Sequence, residues 1–137
     1  MNPILKNILL TITAIIVGSI VNYSLVMLSL NIVDYPEGFD PSSAESFLKH
    51  KDSIPNSGYL IVLLAHALGT LVGGFIVGKF VSTKAIWFAL GIGAWFLMGG
   101  IAASFIIPAP KWFVPVDFVF SYLPMGLLGW FLAGSRK

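Results

Sequence analysis

With 137 residues, 57% of them hydrophobic and only 10% charged, the chain lies far from the roughly 25% charged composition of soluble domains and reads as one integral membrane domain. It has no cysteine, which excludes disulfides, thiol catalysis, thiolate metal sites, iron–sulfur clusters and quinone-coupled disulfide chemistry together. The net charge of +2 comes from basic residues scattered singly near helix ends, a topology signal and not a nucleic-acid stripe.

The first apolar stretch, residues 5–30, carries Lys6 in its opening turn. It is too long for a signal-peptide core and has no small-residue cleavage site before Asn31, so it is expected to stay as a membrane helix. Thr11, Thr13, Ser19, Ser24 and Ser29 can return their hydroxyls to the helix's own carbonyls, whereas the amide of Asn22 seeks a neighbouring helix. The glycosylation pattern Asn22-Tyr23-Ser24 is buried in the span and unusable.

Residues 31–57 form the one sizeable polar segment, with Asp34, Glu37, Asp40, Glu45 and Asp52 against Lys49 and Lys51. Asp40 as N-cap, Pro41 at the first helical position and Glu45 as an early acidic residue predict a short helix from Pro41 to His50. Ala44, Phe47 and Leu48 fall on one side of it. Two readings stay open: an interfacial helix covering the mouth of the bundle, or a plain surface loop. The acidic spacing lacks the glycine and closing glutamate of a calcium-binding EF-hand loop.

The second span, residues 58–80, is the one the others are expected to pack on. Gly69 and Gly73 stand four apart, as do Gly74 and Gly78, giving two small-residue pairs side by side that let other backbones come close. His66, three residues before Gly69, falls on that face and points to protein, not lipid. A tight turn at residues 81–83, flanked by Lys79 and Lys84, makes the third span antiparallel to it.

The third span, residues 84–107, offers Gly91, Gly93, Gly99, Gly100 and Ala103 for close approach to the second, and ends at Pro108 and Pro110. Lys111 and Trp112 mark the membrane surface before the fourth span, residues 113–134. Pro124 in its middle predicts a kink and a freed carbonyl one turn earlier. Lys6, Lys79, Lys84, Arg136 and Lys137 fall on one side, which predicts cytoplasmic termini. Tyr59, Trp87, Trp112 and Trp130 sit near span ends as interfacial anchors, and Trp95 falls mid-span. No internal repeat is evident. The expected fold class is all-α, a four-helix transmembrane bundle with a short extracytoplasmic amphipathic helix in its first loop.

On this layout Asn22, His66, Ser104, Asp117 and Ser121 all fall in the outer half of the membrane, Asn22 and His66 roughly 10 to 12 Å deep and Asp117 and Ser104 somewhat shallower. They form a candidate polar pocket. Asp117 is the only acid and His66 the only imidazole within the spans, and ionisable groups in lipid are costly enough to suggest function. A His66–Asp117 contact suits proton transfer or a polar ligand. The competing reading is structural: Asp117 caps the fourth helix near water, and His66 bonds Asn22 or a serine across a glycine contact. No metal site is expected, because no second ligand stands at helical spacing from His66, and no haem or other cofactor is indicated.

Small multidrug-resistance transporters match in size but depend on a first-span glutamate that is absent here. Membrane glutathione-transferase-like proteins carry arginines inside the bundle, and these spans hold none. The stretch PEGFDPSSAESFLKHKDSIPNSGYLIVLLAHALGTLVGGFIVGKF, about a third of the chain, resembles a group of small uncharacterised four-span bacterial proteins through its PEGFDP loop start, Ile54-Pro55 and AHALGTLVGG. The resemblance implies the four-span layout and the bacterial inner membrane, and no activity. The glycines Gly69, Gly73, Gly74, Gly78, Gly99 and Gly100 motivate an accessory subunit or self-associating protein that packs on a membrane-protein partner or a second copy. The alternative is a small transporter or permeation protein using the polar pocket. An enzyme ranks third, since no nucleophile accompanies His66 and Asp117.

Overall fold

The computed structural model describes residues 1–136; Lys137, read above as a cytoplasmic basic residue, lies outside the described residues. Helix α1 spans Pro3–Leu28 and runs into a 3-10 turn at Ser29–Asn31. It starts where the Asn2 side chain accepts the Ile4 amide at 2.9 Å and Pro3 needs no donor partner. Thr11 and Thr13 donate to the carbonyls of Asn7 and Leu9, one turn back, at 2.8 and 2.9 Å. Their polarity is thereby settled within the helix.

The first-loop helix α2 is Ala44–His50, shorter than the Pro41–His50 expected. Asp40 is not its cap. The Asp40 carboxylate instead accepts the amide and hydroxyl of Ser42 at 2.9 and 2.7 Å, closing a local turn. The helix begins after it, where the Ser43 hydroxyl accepts the Ser46 amide. Phe47 faces the bundle and is buried, while Leu48, expected on the same side, is 55% exposed.

Helices α3 (Asn56–Phe80) and α4 (Ala85–Ser104) are joined by the tight turn, in which Lys84 takes a left-handed conformation at φ 55°. The fourth span is two helices, α5 (Phe113–Phe120) and α6 (Leu123–Leu132). A kink was expected at Pro124; the helix breaks outright. Pro124 has no amide hydrogen for the Phe120 carbonyl, and the chain leaves helical geometry at Tyr122, with φ −119° and ψ −86°. Pro124 then sits in the first turn of α6, where a missing donor costs nothing.

Helix α3 is the hub, contacting α1, α4, α5 and α6. Its two glycine pairs serve different neighbours. Gly69 and Gly73 lie against α1, Gly73 also against α4: a Cβ on Gly69 would stand 2.6 Å from the Gly18 carbonyl oxygen, and one on Gly73 would stand 2.9 Å from the Ile92 side chain and 3.3 Å from the Ala14 carbonyl oxygen. Gly74 and Gly78 face α6, at the backbones of Gly126 and Trp130. Consecutive positions on an α-helix are turned about 100°, so adjacent pairs address two partners. The glycines of α4 do not serve α3, contrary to expectation. Gly93 meets Leu123 and Tyr122, Gly100 meets the Tyr122 hydroxyl, and Gly91 and Gly99 face open space.

The two ends of the bundle are packed differently. Toward the termini, Ala14, Val77, Val81, Ala85, Ala89 and Ile92 form a tight core of small and branched residues. Toward the loops, Phe39, Phe47, Tyr59 and Phe113 make an aromatic core. Tyr59 belongs to this core, 4% exposed, instead of anchoring at the lipid surface. Outside, Ile8, Ile12, Ile16 and Ile20 line the exposed side of α1, and Trp95 is 53% exposed on α4. Four helical segments, counting α5 and α6 as one, are long and apolar enough to cross a bilayer. The chain is a multi-pass, all-α membrane bundle.

Candidate binding pocket

At the loop end the aromatic core leaves a cavity of about 150 Å³. Val26 of α1, Val62 and His66 of α3, Gly100, Ala103 and Ser104 of α4, and Phe113, Asp117 and Phe118 of α5 form its walls. Pro41 and Phe47 roof it from the first loop, as the covering-helix reading requires. The roof is stitched locally: the Asp40 amide donates to the Ser46 hydroxyl at 2.8 Å. Ring contacts descend from it, Phe39 to Phe47 at 5.0 Å, Tyr59 to Phe113 at 5.7 Å and Phe113 to His66 at 6.4 Å between centroids. A cavity near 150 Å³ is about the size that accepts benzene in an engineered protein core.

His66 and Asp117 meet on its inner wall, and the buried Tyr122 stands behind them. His66 Nδ1 lies 2.9 Å from Asp117 Oδ1, and the Tyr122 hydroxyl donates to Asp117 Oδ2 at 2.6 Å while standing 3.0 Å from the same Nδ1. Asp117 is 2% exposed, so the carboxylate has exchanged water for these two donors. With the carboxylate as acceptor, the imidazole donates to it through Nδ1. Among the described residues no protein group bonds Nε2, and the His66 side chain keeps 20% of its surface exposed. The result is an imidazole held in orientation by a carboxylate on the wall of a largely apolar chamber.

The other expected pocket residues separate. Ser104 lines the cavity, yet its hydroxyl donates to Ile101 within α4 at 2.7 Å. Ser121 is buried at the break and donates to the Leu63 carbonyl at 3.4 Å, fastening the fourth span to α3 without lining the chamber. Asn22 borders a second, more open recess with Ser19, Tyr23 and Ser42, which shares Val26 and Pro41 with the chamber. The His66 partners are thus Asp117 and Tyr122, not Asn22 or a serine.

No protein family, no curated protein and no solved structure matches this chain. The site must be read from its own chemistry. Tyr122 is the residue that sequence reasoning missed; the available signal was Pro124, which breaks the helix and swings the preceding ring inward. Phe47, Tyr59 and Phe113 were also unassigned as walls, since nothing in an apolar run marks which ring faces a void. Among the described residues no three His, Cys, Asp or Glu side chains converge as metal ligands would.

Proposed function

We propose that this chain is a small carrier of the bacterial inner membrane with cytoplasmic termini, and that the loop-end cavity is its outward-facing binding site, coupled to a proton at His66. The observation that carries the reading is the His66–Asp117 pair, held from behind by Tyr122, on the wall of a chamber that is roofed toward the loops and blocked toward the termini by the small-residue core. Asp117 and Tyr122 face the imidazole from the fourth span, and Tyr59 shares its own helix; α1, α2 and α4 add no titratable side chain to the walls. Protonation of Nε2 would change an acceptor into a donor and so change what the chamber holds. The break at Tyr122 supplies the hinge that alternating access needs; non-helical backbone within a membrane is tolerated where it is buried in protein, as Ser121 and Tyr122 are.

Proteoliposomes with an entrapped pH-sensitive dye test this directly. The wild type carries a proton flux under an imposed gradient, while His66→Ala and Asp117→Asn lose it with the bundle still folded by circular dichroism. Loss of folding in both variants, or equal flux in all three proteins, sinks the carrier reading.

Helix-mediated association is the second reading, and its surface lies on α4. Gly69, Gly73, Gly74 and Gly78 are occupied inside the bundle, whereas Gly91 and Gly99 have nothing within 4 Å and flank the exposed Trp95. A second copy or a larger membrane protein packed there would be cross-linked through cysteines introduced at Gly91 and Gly99. Absence of any intermolecular product at both positions removes this reading.

A further inference from the structure

We infer that the ligand is a small organic ammonium ion, about one aromatic ring in size, which competes with a proton for the His66–Asp117 pair. The inference rests on reading the cavity as a binding site and names what the site selects.

Charge is the first argument. The walls hold one carboxylate, Asp117, and no lysine or arginine. We take His66 as neutral and Asp117 as ionised, which gives the pair one net negative charge in surroundings that solvate charge poorly. Either of two events neutralises it: a proton on Nε2, or a monovalent cation in the chamber. The two end states have the same net charge, and both together would leave an uncompensated positive charge. Exchange of one for the other is therefore balanced, one cation against one proton. An anion finds no net positive partner, because an imidazolium here is already matched by Asp117 at 2.9 Å.

The walls supply the second argument. Phe47, Tyr59, Phe113 and Phe118 surround the chamber, and aromatic faces attract cations held within about 6 Å of the ring centroid. The same rings accept an apolar body. Nε2 is the acceptor for an ammonium N–H, a role that a neutral apolar ligand would leave unfilled. Size comes third: about 150 Å³ suits a benzene-sized ring.

The experiment uses three probes of one shape: benzylammonium, benzyl alcohol and benzoate, titrated calorimetrically into the whole protein in lipid nanodiscs. Saturable benzylammonium binding is expected at about pH 8, roughly tenfold or more tighter than benzyl alcohol, with no benzoate binding. As pH is lowered, affinity should fall by up to about tenfold per pH unit, and binding should release protons to the buffer, as reciprocal linkage demands. Ala103→Phe, which fills the chamber, should abolish binding. His66→Gln keeps a hydrogen-bonding side chain, and benzylammonium should still bind to it without the pH dependence.

Benzoate binding as well as benzylammonium, equal binding of benzyl alcohol, or a pH-independent affinity in the wild type would each overturn the ammonium assignment. If benzoate or benzyl alcohol binds saturably and Ala103→Phe blocks it, the assignment falls while the cavity stands as a binding site. If none of the three binds, the assignment falls, and the proton-flux assay separately decides the carrier reading.

Discussion

Tyr122 donates its hydroxyl to Asp117, five residues earlier, at 2.6 Å. On a regular helix positions i and i+5 point about 140° apart, so this bond exists only because the fourth span breaks between them. Tyr122→Phe removes the donor and leaves one buried carboxylate oxygen without its partner. We expect a loss of about 1–3 kcal/mol, read as a lower thermal unfolding midpoint, with the wild-type helix content retained. A midpoint unchanged from wild type would mean that the hydroxyl is dispensable to the pair.

The glycines give a sharper contrast because nominally equivalent residues have opposite surroundings. A Cβ on Gly74 collides with the Gly126 backbone, and neither backbone can yield without separating α3 from α6. Gly99 faces open space. Gly74→Ala should therefore destabilise by about 1–3 kcal/mol, the usual cost of overpacking. Gly99→Ala should be neutral or stabilise by up to about 1 kcal/mol through helix propensity. Paired thermal melts in one detergent decide it, and equal effects at the two sites would contradict the packing.

These contrasts mark what the sequence made legible. Four spans, the hub role of α3 and the meeting of His66 with Asp117 follow from hydropathy and helical spacing, which are local properties. Ser121 falls in the same half of the membrane as Asp117, but depth alone does not say which residues line a chamber, and Ser121 bonds across to Leu63 instead. Tyr122 was hidden because its placement depends on how far the chain bends at Pro124, which spacing does not encode. The destination of each glycine pair was hidden likewise: a small residue permits close approach and does not name the helix that approaches.

The roof of the chamber should respond to acid. The Ser42 hydroxyl and amide hold the Asp40 carboxyl below the usual carboxylate range. A carboxylate depressed in the folded state contributes stability above its unfolded value, about 3.9, and that contribution is lost as pH falls through the lowered folded value. Hydrogen exchange of the amides at 42–50, corrected for the intrinsic rate, should show protection at neutral pH that fades only below about pH 4. Asp40→Asn should weaken protection at neutral pH and remove that acid step. A step that persists in Asp40→Asn would assign it to another group.

The break itself can be healed. Pro124→Ala restores an amide hydrogen for the Phe120 carbonyl and removes the ring that clashes with the preceding turn. Three packing contacts oppose a continuous helix: Ser121 on the Leu63 carbonyl, Tyr122 on Asp117, and Gly93 against Leu123. A continuous helix would rotate Tyr122 away from Asp117 and leave the His66 pair with one donor fewer. We expect Pro124→Ala to keep the four spans, to raise helix content slightly, and to lose proton flux, because both the hinge and the Tyr122 contact disappear together. Pairing it with Tyr122→Phe separates the two causes. If Tyr122→Phe retains flux and Pro124→Ala does not, the hinge is what transport requires. If Pro124→Ala transports as well as wild type, the break serves packing alone and alternating access must work through another element.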